Sequence, residues 1–274
     1  MTAAPFDLDA YLRRVGYSGP RAANLKVLRA LHALQPAAIP FENLDPLLGR
    51  KVELDLGALA AKLVEQRRGG YCFELNGLFA AALEALGFRV IRLAARVRWR
   101  APPERLEGAR SHMLLKVDLD EGAFLADVGF GALLMDAPLR LISGVEQQSP
   151  SATLRLREED DGRYTLQARL PEEWGDVYRF NLEPQLASDY ALANWFTATH
   201  PDSLFRNNLL MERLLPDRRV TLFNTRLVER PVAGEARERI LAGAAELNDV
   251  IADVFGIASP VSAADIWARI AVSP

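Results

Sequence analysis

The sequence is poor in two residue types that do chemistry. Among 274 residues it has one cysteine, Cys72, and three histidines, His32, His112 and His200. A lone cysteine cannot form an internal disulfide or build a thiolate-rich metal site. Three histidines leave little for a histidine-rich one, so no metal is expected. Neither sign of charge is in excess: 33 basic and 36 acidic residues give a net charge of −3. That balance gives no reason to expect nucleic acid or an anionic membrane surface as partner. No apolar run is long enough to span a bilayer. The first residues, Met1 to Asp7, have no basic and no apolar leader region, so a cytoplasmic, reducing setting is expected. There is no Walker-type loop and no G-x-G-x-x-G stretch, and Gly129-Phe130-Gly131 is too short to count as one.

Half of the chain is hydrophobic, enough for a sizeable core in one or two domains. The first third has a helical period. Phe6 to Gly16 reads as one helix, and a second starts at Pro20 with Leu25, Leu28, Leu31 and Leu34 on one stripe. A third runs from Asp55 to Val64, and a fourth from Cys72 to Leu86, closed by Gly87. The period then changes to two. Ile91, Leu93, Ala95, Val97 and Trp99 alternate with Arg92, Ala94, Arg96, Arg98 and Arg100, as in a half-buried strand. That basic face is either solvated or attracts phosphates. Past a loop around Pro102-Pro103, a strand from His112 to Leu119 and another from Phe124 to Val128 follow. A hairpin spans Leu154 to Ala168, and Val177 to Phe180 is a further strand. Pro184 to Phe196 reads as helix, Val220 to Val228 as extended, and Glu235 to Phe255 and Ser262 to Ile270 as helix. The order is helices, a β-rich middle, then mixed α and β.

Cys72 is the candidate nucleophile. It follows Arg67-Arg68-Gly69-Gly70-Tyr71 and opens the fourth helix. A helix N-terminus offers the positive end of the macrodipole and unpaired N–H groups, which favour a thiolate and an oxyanion. Gly69 and Gly70 suggest a tight approach of the backbone to something. A neutral thiol is only a few per cent ionised at pH 7, so it needs a proton acceptor. His112, at a strand start, is the best one. His32 reads as a helix-surface residue, and His200 sits in a loop as an outside candidate. An imidazole needs a third group to fix its tautomer. Asp127 lies in an otherwise apolar strand, where an aspartate is costly unless paired. Cys on a helix start, His on a strand and Asp on the next is the papain-type layout. A tight turn near Glu121 pairs Asp127 with about Leu115, roughly 10 Å from His112 at about 3.3 Å per residue. A bulge, or a turn shifted towards Leu119-Asp120, removes the conflict.

These segments resemble a known family. Arg67 to Asn76 resembles the active-site segment of the arylamine N-acetyltransferases, and Pro40-Phe41-Glu42-Asn43-Leu44 their N-terminal signature. Ser111 to Leu115 and Asp127 to Gly131 resemble the segments carrying their His and Asp, and Pro201 to Phe205 is similar to a further motif. The resemblance implies an α+β fold: an N-terminal helical bundle (1–88), a central β-barrel (89–195) and a C-terminal α/β lid (196–274), with a papain-like core. It implies Cys72, His112 and Asp127 as triad, Phe41, Val97 and Phe130 at the acceptor, and Trp99 and Gly131 near the coenzyme. The implied reaction is transfer from acetyl-CoA, a co-substrate, to an arylamine or hydrazine through an acetyl-cysteine. Relatives that act as amide synthases in antibiotic biosynthesis, and cysteine hydrolases with the same triad, are the alternatives.

Overall fold

Asp7 and Asn24 start the first two helices by capping them. The Asp7 carboxylate accepts the Ala10 N–H at 2.9 Å at the head of α1 (Leu8–Val15), and Gly16 closes it at φ 75°. The Asn24 side chain accepts the Val27 N–H at 3.0 Å, so α2 (Leu25–Ala38) begins at Asn24 and not at Pro20. These facts come from a computed structural model that describes residues 6–102 and 107–270. The leader reading of Met1 to Pro5, and Pro103 of the expected loop, lie outside the described residues. Next come β1 (Phe41–Glu42), α3 (Leu44–Leu47), α4 (Leu56–Leu59, continued as a π-turn over Ala60–Glu65) and α5 (Cys72–Ala85).

The middle of the chain is one antiparallel sheet: β2 (Arg89–Val97), β3 (Arg110–Leu119), β4 (Gly122–Ala126), β5 (Leu139–Arg140), β6 (Gln147–Gln148), β7 (Thr153–Glu158), β8 (Tyr164–Arg169) and β9 (Trp174–Phe180). Their order is β5-β4-β3-β2-β9-β8-β7-β6. The two edge strands nearly meet. The Gln147 amide accepts the Arg140 N–H at 2.7 Å and donates to the Arg140 carbonyl at 2.9 Å, imitating a strand partner and leaving a nearly closed eight-stranded barrel. Leu93, Ala95, Leu114, Leu125, Leu156 and Tyr178 fill its interior. The opposite side of β2 and β3 (Ala94, Met113, Leu115, Val117) packs on α5. Two of the four arginines of the expected basic face are ion-paired, Arg92 with Glu84 at 2.5 Å and Arg98 with Glu107 at 2.8 Å.

The C-terminal α/β region holds α6 (Ala187–Thr199), α7 (Leu204–Asn207), β10 (Leu210–Leu214), β11 (Arg218–Phe223), β12 (Arg226–Pro231), β13 (Arg237–Ile240), α8 (Ala244–Asp249) and α9 (Ala263–Ile270). The extended run at Val220 is a hairpin turning at Asn224. The helix expected from Glu235 begins only at Ala244, because Arg237–Ile240 pairs with β12 instead. β1 joins this second sheet beside β10, with Phe41 opposite Glu212.

A buried ionic network sits beneath the start of α5. Arg68 reaches Glu42 at 2.7 Å and Asp45 at 3.3 Å, and Lys62 reaches Asp45 at 2.6 Å and Glu74 at 2.7 Å. The second Glu74 oxygen accepts the Tyr71 N–H at 3.0 Å, and the second Glu42 oxygen the Leu44 N–H at 2.7 Å. Burial pushes the Glu74 carboxyl up, although the Lys62 charge opposes it. The network ties β1, α3, the π-turn and the α5 N-terminus together. Removing one cation leaves buried carboxylates uncompensated. We therefore expect Arg68→Met to lower unfolding free energy by about 3–5 kcal/mol. Guanidinium titration at pH 7 reads this as a lower midpoint at unchanged slope.

Candidate active site

Cys72, His112 and Asp127 converge where α5, β3 and the end of β4 meet, and all three are buried. His112 Nε2 lies 2.6 Å from Asp127 Oδ2. That contact leaves Nδ1 for the thiol. The Cys72 thiol donates to the Ser111 carbonyl at 3.7 Å, one residue before His112.

The register explains how the aspartate reaches the imidazole. β3 and β4 pair Leu119 with Gly122 and Leu115 with Ala126, so the turn is Asp120-Glu121. Continued by one residue, the ladder would set Asp127 opposite Leu114, still two positions from His112. The chain instead leaves the ladder after Ala126. Three groups hold it there. Asn76 Nδ2 donates to Asp127 Oδ1 at 2.9 Å, the Gly129 N–H donates to the same oxygen at 2.9 Å, and the Asp127 N–H donates to His32 Nε2 at 3.1 Å. Asn76, one helical turn after Cys72, also donates to the Met113 carbonyl at 2.7 Å and accepts the Val128 N–H at 3.0 Å. One amide thus fixes the nucleophile's helix to both strands.

Burial opposes an imidazolium at His112, but the Asp127 charge and hydrogen bond, with Cys72 adding to them, push the imidazole up to about 10. Burial alone would raise the Asp127 carboxyl. The His112 charge, with hydrogen bonds from His112, Asn76 and Gly129, holds it below its ordinary range instead. His32 goes the other way: burial pushes it down to about 4 against the attraction of Asp127 and Asp136.

The glycines mark close approaches. A Cβ on Gly129 would stand 2.9 Å from Cys72 Cα, and one on Gly69 would collide with the Pro40 carbonyl. The approach inferred from the Gly pair is thus to β1. On Gly131 a Cβ would strike the Phe41 ring. The Phe130 ring meets His112 edge-on at 5.0 Å, and Tyr178 lies 5.0 Å from His112 and 5.4 Å from Phe130. Val97 pairs with Tyr178 at the end of β2. Phe130 thus borders His112 directly, Val97 lies beside it through Tyr178, and Phe41 and Gly131 lie against each other. Trp99 stands further along, four residues past Ala95, with its N–H on the Val177 carbonyl at 2.9 Å. His200 accepts the Asp202 N–H at 3.2 Å and stacks on Phe196. Two clefts of about 460 Å³ flank Arg269 and are lined by residues other than the triad.

Four residues at this site were given no role by sequence reasoning. His32 is fully buried and not on the helix surface. It shares a face with Leu28, Leu31 and Gln35, a spacing that could have signalled this. Asn76 was readable as a polar residue in an apolar helix. Tyr178 carries no local signal, whereas Phe205, whose ring lies 5.8 Å from both Phe41 and Tyr71, ends the Pro201 to Phe205 segment that resembles a family motif.

A thiol, an imidazole and a carboxylate so disposed suit enzymes that carry an acyl group on cysteine. The comparisons narrow that class. The N-acetyltransferase family model matches residues 24–263. The arylamine N-acetyltransferase of Escherichia coli K12 is 42% identical over 251 residues, 91% of this chain and 88% of that protein. The arylamine N-acetyltransferase/N-hydroxyarylamine O-acetyltransferase of Salmonella typhimurium is 45% identical over 77% of this chain and 74% of its own. The Mycobacterium marinum arylamine N-acetyltransferase solved with CoA superposes with a TM-score of 0.91 at 40% identity, covering 96% of this chain and 98% of that one. The chain belongs to the arylamine N-acetyltransferase family and is an acyltransferase.

The His112–Asp127 pair has a signed pH dependence. The raised imidazole contributes stability that is complete below its ordinary 6.5 and lost as pH rises through about 10. The lowered Asp127 carboxyl contributes stability present above its ordinary 3.8 and lost as pH falls through its lowered value. The unfolding free energy of wild type minus that of His112→Gln is expected to be largest near pH 6 and to shrink by pH 10. A difference that is flat over this range contradicts the assignment. Gly129→Ala, which moves Cys72 from His112, should slow alkylation of the thiol by iodoacetamide at pH 7 by about tenfold.

Proposed function

We propose that Cys72 is the nucleophile, His112 its general base and Asp127 the group that orients and charges the imidazole. The single observation that carries this reading is the 2.6 Å His112–Asp127 contact, buried next to a thiol at a helix start. The donor is acetyl-CoA, a reading supported by the M. marinum relative's structure with CoA. The acceptor is an arylamine or arylhydrazine, with N-hydroxyarylamines as O-acceptors in line with the Salmonella relative's name.

The Cys72 proton rests on His112, giving a thiolate–imidazolium pair held by Asp127. The thiolate attacks the thioester carbonyl while N–H groups of the first turn of α5 hold the oxyanion, at about 3 kcal/mol per donor. The tetrahedral adduct collapses, and the CoA sulfur leaves with the proton from His112. The amine then attacks the acetyl-cysteine, His112 accepts its proton, and the thiol is regenerated as the amide departs. The order is ping-pong. Phe41, Val97 and Phe130, with Phe205 behind Phe41, form the acceptor wall. Trp99 and Gly131 face the coenzyme. An aryl amine is neutral at pH 7 and enters such a wall without desolvating a charge, which an alkyl ammonium cannot do. In domain terms, residues 1–88 carry the nucleophile, 89–195 the His and Asp, and 196–274 the covering region, with α6 joining the last two.

Incubated with acetyl-CoA alone, the wild type is expected to gain one acetyl group on Cys72 by mass spectrometry and to lose it when an arylamine is added. Cys72→Ala should gain none. Rapid release of acetate without amine would instead favour a hydrolase.

A further inference from the structure

His32 is the one buried histidine that the proposed chemistry does not use. It is fully buried on α2, and its ring meets Phe79 edge-on at 5.8 Å. Its Nε2 accepts the Asp127 N–H at 3.1 Å. A nitrogen that accepts carries no proton, so the ring's proton sits on Nδ1. Asp127 and Asp136 are the charged groups acting on this ring, and burial keeps it neutral at working pH.

The position of this bond gives it significance. The β3–β4 ladder ends at the Leu115–Ala126 pair. A strand that stopped there would leave the next N–H without a partner in an apolar interior, at a penalty of about 1–3 kcal/mol. A strand that continued would keep Asp127 opposite Leu114, about 7 Å from the level of His112. The Ala123 carbonyl accepts the Leu141 N–H on the β5 side, so the alternate Asp127 N–H faces that side too, just past the last β4–β5 pair, Leu125–Leu139, and His32 supplies the acceptor that β5 no longer offers. The backbone can then turn off the sheet, and the Asp127 carboxylate swings to His112.

We propose that His32 is a positioning residue for the reaction. By accepting the Asp127 N–H beyond the end of β5 it holds the backbone where the chain leaves the sheet after Ala126 and sets the Asp127 carboxylate on His112. It touches neither donor nor acceptor and acts through Asp127. The proposal rests on the triad reading above, and its test separates the two.

The experiment compares wild type, His32→Leu and His32→Gln. Single-turnover acetylation of Cys72 by acetyl-CoA, its pH profile, and steady-state kcat and KM are measured for each. Leucine fills the space without an acceptor, whereas glutamine restores one. The leucine variant should acetylate Cys72 at least about tenfold more slowly, through kcat, with KM for acetyl-CoA within about twofold. The pH at which its thiol reacts at half-maximal rate should rise. Glutamine should recover most of the rate. Should the leucine variant not fold, His32→Ala is read in the same way. A folded leucine or alanine variant with wild-type acetylation overturns the proposal, as does a glutamine variant that folds and is as slow as the leucine one. If wild type itself forms no acetyl-cysteine, the triad reading fails and this proposal falls with it, an outcome distinct from a leucine variant that matches an active wild type.

Discussion

One charged hydrogen bond in an apolar interior organises this molecule. His112 and Asp127 are both buried, and either alone would be strongly disfavoured as an ion there. Together, at 2.6 Å, they stabilise each other's charged form. The neighbours complete the arrangement. Asn76 and the Gly129 N–H satisfy the second carboxylate oxygen, while Phe130 and Tyr178 wall off the imidazole. A pair held this way stays charged at neutral pH without solvent, so in the proposed chemistry the proton given up by the thiol rests on the imidazole.

The constraint spreads outward through α5. The helix start must lie against the Asp127–Gly129 segment closely enough that only glycine fits at 129, and against β1 closely enough that only glycine fits at 69. The buried ions beneath it serve that fit. Arg68 joins Glu42 and Asp45 on one side, and Lys62 joins Asp45 and Glu74 on the other. Replaced by packed hydrophobes, such a set could leave stability unchanged or higher. Its value here is geometric, because it fixes β1, and hence Phe41, relative to Cys72. β1 in turn is an edge strand of the C-terminal sheet. The most distant third of the sequence thus bears directly on the wall beside the thiol.

Much of this was legible in the residues. The helical period ending at Gly87, the switch to period two, and the costly aspartate in an apolar run located the triad's elements. What stayed hidden was long-range or turn-dependent. The two-residue turn at Asp120-Glu121 is half a residue from a turn centred on Glu121, and the Asp127 N–H past the end of β4 is met by His32, 95 positions earlier. β1 and β10 are too short and too far apart to announce their pairing. Arg237–Ile240 reads as helix because its residues are good helix formers, yet β12 offers an open edge and the pairing prevails.

The closed apolar surroundings also bear on what the site accepts. The acetyl-cysteine of the proposed reaction would meet two competing nucleophiles, water and amine, and water is far more abundant. Discrimination has to come from excluding water and from a surface that attracts an aryl ring. In the proposed reaction Phe41, Phe130 and Tyr178, all buried, and the half-buried Phe205 supply such a surface, their rings touching one another or the imidazole. The same enclosure raises the strength of every hydrogen bond the triad makes. Dryness and basicity therefore come from one structural cause, and a change that admitted water for the sake of access would weaken both together.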